Sequence, residues 1–476
     1  MFAFAVAFFV PMVNVRSLSV EEYGYYRQFW LLFSTLVPIL ILGFPRSLLY
    51  YFPRSETRAE KSVYVTQTVA FLFGVSIVAV LIYTILGVVL GSGMGQMIRT
   101  FYWRLCAFTM FMLLARHMEE LFVADRQTEK QSLYYVITAA TRSIVVIVTA
   151  WYTRDVSTII WALTIFAAAK AVFALIYTKV VYRPSLKQLS FSTIREQISF
   201  ALPLGMTTIS TLLLSQTDKF IINRFMGREE FAVYSIGAHQ LPFVMIIASS
   251  VASITFPLMA QYQKEGRFTD FVDLWKRAWL KTSVLFFPIF VFFMVTASQF
   301  IIIFFTDAYA GAIPVFRIYL FLFLKATTDF AGVLTAFKKQ DYLFKITAIS
   351  VVANLILSIV MFKLWGRLGV PLATVLTFLV VTILAIRKSS VLLEHPVWQM
   401  VPWRGLFARM SAASVPGAIL YVIYARHPDY SIVGFALAGV SYFTAYFVLC
   451  WFLKLITLED IKSLMGKPRR ANKQAR

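Results

Sequence analysis

Long apolar runs separated by short polar connections make up most of the chain. A run of about 20 apolar residues is the length of α-helix that crosses about 30 Å of hydrocarbon. The pattern therefore predicts an all-α polytopic membrane protein with about fourteen transmembrane helices. The predicted spans are residues 1–15, 28–52, 62–90, 101–124, 133–152, 157–178, 197–223, 231–259, 279–304, 312–337, 342–362, 367–386, 405–424 and 431–453.

The first apolar run is shorter than the others. Residues 1–15, MFAFAVAFFVPMVNV, have no basic flank, so they match neither a full crossing nor a secretory signal peptide. We interpret them as a crossing helix that has lost its beginning.

An internal sequence repeat divides the chain into halves. The segment SVEEYGYY at residues 19–26 returns as GREEFAVY at 227–234, and EKQSLYYVITA at 129–139 returns as KKQDYLFKITA at 338–348. The offsets are 208 and 209 residues, which indicates duplication of a six-helix unit. We expect the two copies to be related by an axis along the membrane normal, with a cavity between them.

This repeat sets the expected domain organisation. It comprises an N-terminal six-helix lobe at 1–185, a C-terminal six-helix lobe at 186–390, two additional transmembrane helices at 391–456 and a basic cytoplasmic tail at 457–476. In the repeated segments, which we call the acidic tags, we expect the glutamates to cap a turn and the tyrosines to lie in the interfacial aromatic belt.

Composition excludes a soluble protein. The chain is 59% hydrophobic and 14% charged, whereas soluble domains are about 25% charged. The net charge of +22 is explained by basic cytoplasmic loops, so nucleic acid is not an expected partner. With the N-terminus inside, the inner connections and tail carry 27 Lys and Arg and the outer connections 10, when a residue among the first or last four of a span is counted with the adjoining connection. Both termini are therefore predicted to be cytoplasmic.

No cofactor or metal site is predicted. Cys106 and Cys450 both lie in apolar runs, and the four histidines lack metal-ligand spacing. The glycine-rich GSGMG at residues 91–95 follows a membrane helix rather than a strand, so it is not a nucleotide site. We therefore predict that the chain is not an enzyme.

Charged residues inside the predicted spans are the candidate functional groups, because a cation at mid-bilayer needs a partner or a wet cavity. The basic ones that lie outside the first and last four residues of a span are Arg46, Arg116, Arg142, Lys170, Lys219, Arg317, Lys325 and Arg409. Lys170 and Arg409 lie near the cytoplasmic ends of their spans, where we expect them to snorkel to water.

Two of these cations have an acid four residues later. Lys325 precedes Asp329, and Arg116 precedes Glu120, a spacing that places both side chains on one helix face. The pairs are either structural ion pairs that stabilise the helix bundle or functional charges whose pairing changes as the lobes move.

Arg142 has no acid within four residues, so we expect it to line a ligand-filled cavity. Arg46 follows a proline, and either snorkelling or a cavity role fits it. Asp218 and Lys219 form a candidate interfacial or gating pair. The surplus of cations favours an anionic cargo, and the planar fork of arginine suits phosphate.

The chain resembles the polysaccharide flippases of the multidrug/oligosaccharidyl-lipid/polysaccharide exporter superfamily. Four stretches carry the resemblance: residues 16–54, residues 200–237, FTDAYAGAIPVFRIYLFLF at 305–323 and WGRLGVPLATVLTFLVV at 365–381. The closing LITLEDIKSLMG at 455–466 is also similar.

The resemblance implies a bundle of twelve helices plus two that exports undecaprenyl-diphosphate-linked oligosaccharide across the bacterial inner membrane by alternating access. It implies that Arg46, Arg142 and Lys325, with Arg116 as a weaker member, form a basic cavity for the diphosphate and sugar. The implied partners are the lipid-linked substrate, membrane phospholipid, and a polysaccharide polymerase with chain-length proteins. We expect a monomer.

Two alternatives remain. A cation-coupled multidrug exporter of the same superfamily often uses an acid in its opening helix, and residues 1–15 contain none. A membrane glycosyltransferase or polysaccharide polymerase needs catalytic carboxylates or a sizeable external loop, and neither is visible.

Overall fold

The structure, a computed structural model, describes residues 2–91, 93–239, 242–327 and 330–456. Over these residues every regular element is a helix. The first ten are α1 (Phe2–Ser17), α2 (Val20–Ile41), α3 (Leu48–Tyr51), α4 (Arg58–Val89), α5 (Met94–Thr100), α6 (Tyr102–Leu114), α7 (His117–Ala124), α8 (Thr128–Thr153), α9 (Val156–Tyr182) and α10 (Phe191–Phe225). The others are α11 (Gly227–Gly237), α12 (Pro242–Lys264), α13 (Phe268–Phe305), α14 (Ile313–Ala326), α15 (Phe330–Ala336), α16 (Gln340–Trp365), α17 (Gly369–Leu393), α18 (Val397–Met400), α19 (Trp403–Arg426) and α20 (Ile432–Phe452).

Helices long and apolar enough to cross a membrane confirm the all-α polytopic class. The described residues contain 8 such helices, or up to 11 if each bent pair is one span, so the predicted count of about fourteen is not confirmed. Several predicted spans are interrupted. The predicted span 28–52, for example, combines α2 with a segment at Phe44–Arg54 that is bent from it by 45°.

The described residues form two compact units. The first contains Met1–Ile236 together with Phe344–Thr374, and the second contains Gly237–Leu343 together with the described residues from Val375 onward. These units follow spatial compactness and do not test the predicted lobes 1–185 and 186–390, which stay a prediction. The predicted tail at 457–476 lies outside the described residues.

Small side chains let the helices of the first unit pack closely. In this unit α1 packs on α8, and α6 packs on both α4 and α9. On α9, Ala167, Ala171 and Ala174 are almost fully buried, and their spacing places them on one face. Such small residues allow helix backbones to approach one another in the membrane.

A backbone break ends α2 and creates a turn inside the first unit. Leu42 and Gly43 both have positive φ angles, 49° and 72°, and Pro45 follows in a short 3₁₀ helix at Phe44–Ser47. Gly205 of α10 packs against this break so tightly that a Cβ atom there would lie under 3.0 Å from the Leu42 carbonyl. The break and the glycine together bring α2 and α10 into direct contact.

The second unit is organised around α13. The last two helices, α19 and α20, pack on it, and Tyr446 donates a hydrogen bond to the carbonyl of Val284 at 3.1 Å. Tyr442 donates to the carbonyl of Ala413 at 3.0 Å, joining α20 to α19. These buried tyrosines therefore tie the two C-terminal helices to each other and to α13.

Candidate functional site

A cavity of about 450 Å³ lies within the first unit, between α2, the break that follows it, α6, α7, α8, α9 and α10. Its volume falls in the range of small-molecule binding sites. The charged residues that line it are Arg46, Arg116, Glu119, Glu120, Arg142 and Lys170. Four cations thus face two carboxylates, and we call these six residues the charged cluster.

Helix breaks place two of the four cations. Arg46 lies in the 3₁₀ helix that follows the end of α2. Arg116 lies in the turn between α6 and α7, so its side chain leaves the backbone where the helix is interrupted. Arg142 and Lys170 instead come from the middle of continuous helices, α8 and α9. The helix breaks therefore place Arg46 and Arg116 in the same cavity as Arg142 of α8 and Lys170 of α9.

Glu119 bridges two cations of the charged cluster. Its Oε2 atom accepts a hydrogen bond from Nη1 of Arg116, and its Oε1 atom lies 3.4 Å from Nζ of Lys170. The Lys170 side chain is only 8% exposed, and the Glu119 side chain is 28% exposed. Each oxygen of the Glu119 carboxylate therefore contacts a different cation.

Glu120 pairs with the other arm of Arg116. Its Oε1 atom lies 3.2 Å from Nη2 of Arg116, which confirms the ion pair predicted from their spacing. The Glu120 side chain is 12% exposed, and its Oε2 atom is buried with no hydrogen-bond partner among the described residues. The Arg116 guanidinium is thus held by two carboxylates at once.

Arg142 and Arg46 have no carboxylate within ion-pair distance among the described residues. Arg142 is half-buried, and its guanidinium carbon lies 5.6 Å from the ring centroid of Trp30, a cation–π contact. Arg46 is exposed and donates a long hydrogen bond of 3.4 Å to Thr208. These two arginines keep donor groups available to a ligand in the cavity.

Apolar side chains form the rest of the wall. Phe33, Val37 and Ile41 come from α2, Met112 from α6 and Phe166 from α9. An apolar wall lowers the local dielectric constant, which strengthens the attraction between the cations and an anionic ligand. The cavity therefore suits a ligand with a compact anionic group.

The other predicted site residues lie elsewhere. Lys325 belongs to the second unit and does not line this cavity. Its Nζ atom lies 4.1 Å from the ring centroid of Phe378. Asp329, its predicted partner, lies outside the described residues. The predicted pairing of Lys325 with Asp329 therefore stays a prediction.

Asp218 and Lys219 lie in the first unit but away from the cavity. Their charged atoms are 3.6 Å apart. Asp218 is fully buried and accepts a hydrogen bond of 2.9 Å from the hydroxyl of Tyr234. The pair therefore lies inside the protein, and its predicted gating role stays a prediction.

Sequence reasoning missed the bridge between Glu119 and Lys170. We expected Lys170 to snorkel to water, but its side chain lies among Glu119, Arg116 and Tyr134. Glu119 and Lys170 are 51 residues apart, so no local spacing could reveal that they meet.

A family profile decides the relationship of the chain to known proteins. The profile of the family described as "Polysaccharide biosynthesis protein" matches residues 13–314, which is more than half of the chain. The chain belongs to this family. The resemblance to the polysaccharide flippases of the exporter superfamily is thereby confirmed.

Curated relatives of the chain are distant. An uncharacterized membrane protein, MJ1068, of Methanocaldococcus jannaschii is 22% identical over 58% of this chain and 54% of its own length. A "probable low-salt glycan biosynthesis flippase", Agl15, of Haloferax volcanii is 24% identical over 42% of this chain and 43% of its own. The matches thus span about half the length of these relatives.

Solved structures with the same fold are transporters and flippases. "Lipid II flippase MurJ" in its inward closed conformation has a TM-score of 0.74 at 12% identity and covers 95% of this chain and 99% of its own. An inward-facing transporter of the multidrug MATE family has a TM-score of 0.65 at 12% identity, over 83% of this chain and 95% of its own. At such low identity these likenesses establish the fold alone.

Proposed function

We propose that the protein is a flippase for undecaprenyl-diphosphate-linked oligosaccharide. It moves its substrate across the cytoplasmic membrane for the export of O-antigen, capsule or exopolysaccharide. The movement needs no covalent chemistry, so the protein is a transporter rather than an enzyme. The family relationship, the fold of known flippases and the charged cavity support this proposal.

The observation that carries the proposal is the presence in the cavity of two arginines that form no ion pair among the described residues. Arg46 and Arg142 have no carboxylate within ion-pair distance among the described residues, although both belong to a helical membrane domain. Placing a cation inside the membrane costs free energy unless the cation binds a ligand or faces a water-filled cavity. A diphosphate satisfies both arginines, because the guanidinium fork binds two oxygens at once.

Transport follows from alternating access between inward-open and outward-open populations. In this scheme the charged cluster receives the diphosphate on one side of the membrane and releases it on the other. The break at Leu42 and Gly43 is a natural hinge, because residues with positive φ interrupt the helix hydrogen bonds beside Arg46.

A cation-coupled multidrug exporter is the second candidate, favoured by the fold likeness to the MATE transporter. The charge of the cavity opposes it. Four cations against two carboxylates repel an organic cation, which would prefer exposed carboxylates and aromatic cages. A drug-efflux assay in a susceptible strain separates the two candidates.

We further propose that the protein is monomeric and lies in the bacterial inner membrane with both termini in the cytoplasm. It would supply its product to a polysaccharide polymerase and chain-length proteins. The excess of Lys and Arg on one side of the predicted spans supports this orientation. A reporter active only in the cytoplasm, fused to the C-terminus, tests it.

Complementation tests the function directly. The full chain is expressed in a bacterium that lacks its own O-unit flippase, and surface polysaccharide is measured. We expect the wild-type chain to restore the polysaccharide and Arg142→Ala to leave it absent. Arg195→Ala, an exposed arginine of α10 outside the cavity, is the matched control and should restore it. Failure of the wild-type chain in several such hosts would contradict the proposal.

A further inference from the structure

We propose that Glu119 is an internal counter-ion that competes with the substrate's diphosphate for the same two cations. This inference rests on the proposed function and adds a release step to it. The Glu119 carboxylate holds Arg116 and Lys170 during the part of the cycle without substrate. The diphosphate displaces it on binding, and its return helps to expel the diphosphate.

The geometry of the bridge resembles that of a bound phosphate. The two oxygens of Glu119 contact two cations from different helices, Arg116 beside α7 and Lys170 on α9. Two neighbouring phosphate oxygens can make the same pair of contacts. Both terminal nitrogens of Arg116 already donate to carboxylates, so a diphosphate that binds this arginine through both of them competes with Glu119 and Glu120.

Burial indicates which carboxylate moves. Glu119 has a side chain that is 28% exposed, so it can turn into the cavity and find water. Glu120 is 12% exposed, and one of its oxygens is already buried without a described partner. Glu120 therefore keeps the Arg116 guanidinium in place while Glu119 leaves.

The two halves of the charged cluster then act in sequence. Arg46 and Arg142 have no carboxylate within ion-pair distance among the described residues and can bind an arriving anion at once. Arg116 and Lys170 join only after Glu119 is displaced, which costs free energy because a charge pair is broken. A ligand with two adjacent phosphates can bind Arg46 and Arg142 with one phosphate and replace Glu119 on Arg116 and Lys170 with the other. A single phosphate can make only the first of these contacts. We therefore expect the cluster to bind pyrophosphate more tightly than phosphate.

Substituting Glu119 tests the competition. The full-length protein is purified in detergent, and the affinities for inorganic pyrophosphate and inorganic phosphate are measured by calorimetry. We expect Glu119→Gln to bind pyrophosphate at least about tenfold more tightly than wild type, about 1.4 kcal/mol. The same variant should export polysaccharide more slowly, because release is impaired. Glu129→Gln, an exposed glutamate on α8 outside the cavity, is the matched control and should match wild type.

A second variant keeps the test decisive if Glu119→Gln does not fold, since that change leaves Lys170 buried without its partner. Glu119→Asp keeps the charge but is one methylene shorter, so it cannot contact both cations from the same backbone position. It should bind pyrophosphate more tightly than wild type but less tightly than the glutamine variant.

The outcomes separate this inference from the proposed function. Equal affinities of wild type and the Glu119 variants, with weaker binding by Arg142→Ala, would overturn the counter-ion role and leave the proposed function standing. Absence of binding in wild type and in every variant would remove both.

Discussion

The Oε1 atom of Glu21 lies 2.5 Å from Nη1 of Arg228, so the two acidic tags are in direct contact. Arg228 also stacks over Tyr25, 3.4 Å from the ring centroid, and donates a hydrogen bond of 2.9 Å to Gln96. Gly24 makes room for this side chain, because a Cβ atom there would clash with Arg228. The two acidic tags therefore contact each other within the first unit, through Arg228 of the second tag and Glu21 and Tyr25 of the first.

Removing Arg228 should destabilise this contact more than removing Glu21. The Arg228 side chain is 9% exposed and has several partners, whereas the Glu21 side chain is 55% exposed. We expect Arg228→Ala to lower the free energy of unfolding by about 2 kcal/mol and Glu21→Ala by less than about 1 kcal/mol. Thermal unfolding in detergent measures both. Equal losses in the two variants would show that the ion pair alone holds the tags together.

Gly205→Ala should damage the first unit severely. The added methyl group would lie under 3.0 Å from the Leu42 carbonyl, so α10 must move away from the break after α2. We expect a loss of folded protein, measured by fluorescence-detected size exclusion. Gly74→Ala is the matched control, since nothing lies within 4 Å of the added atom, and alanine favours a helix. A folded Gly205→Ala protein with wild-type stability would contradict the close packing.

Arg142→Lys should separate charge from geometry. Lysine keeps the positive charge but lacks the planar fork that binds two phosphate oxygens. We expect the variant to export polysaccharide about tenfold more slowly than wild type, a loss of about 1.4 kcal/mol, with membrane insertion intact. Arg195→Lys on the exposed surface of α10 should leave export unchanged. If Arg142→Lys exported at the wild-type rate, charge alone would be sufficient at this position.

Exchanging Lys325 and Asp329 should distinguish a structural ion pair from a functional one. A structural ion pair tolerates the exchange, because the two charges still attract each other. We expect loss of export, since the resemblance to the polysaccharide flippases implies that the Lys325 cation contacts the substrate. Surface polysaccharide of the exchanged variant, with protein level as a control, is the measurement. Full export would favour the structural interpretation.

Local spacing predicted some of these features. Arg116 and Glu120 are four residues apart, and their pairing follows from helix geometry. The first tag lies in a helix rather than in a turn, because α2 begins at Val20. Glu22 does cap, since it forms a reciprocal capping box with Ser19 at the start of α2.

Features that depend on packing were not predicted. The sequence places Tyr23 and Tyr26 in the interfacial aromatic belt, but other helices of the protein bury both side chains. Aromatic residues beside charges are typical of a membrane interface, and the sequence does not reveal which of them other helices will cover. The same limit concealed the meeting of Glu119 with Lys170, because helix packing rather than spacing brings them together.

Transport by the purified protein tests the central claim most directly. The protein is reconstituted into liposomes with labelled undecaprenyl-diphosphate-linked oligosaccharide, and the label that crosses the bilayer is measured with an impermeant enzyme. Wild type should move the label, and Arg142→Ala should fall to the rate of protein-free liposomes. Transport by Arg142→Ala at the wild-type rate would contradict a diphosphate-binding role for the charged cluster.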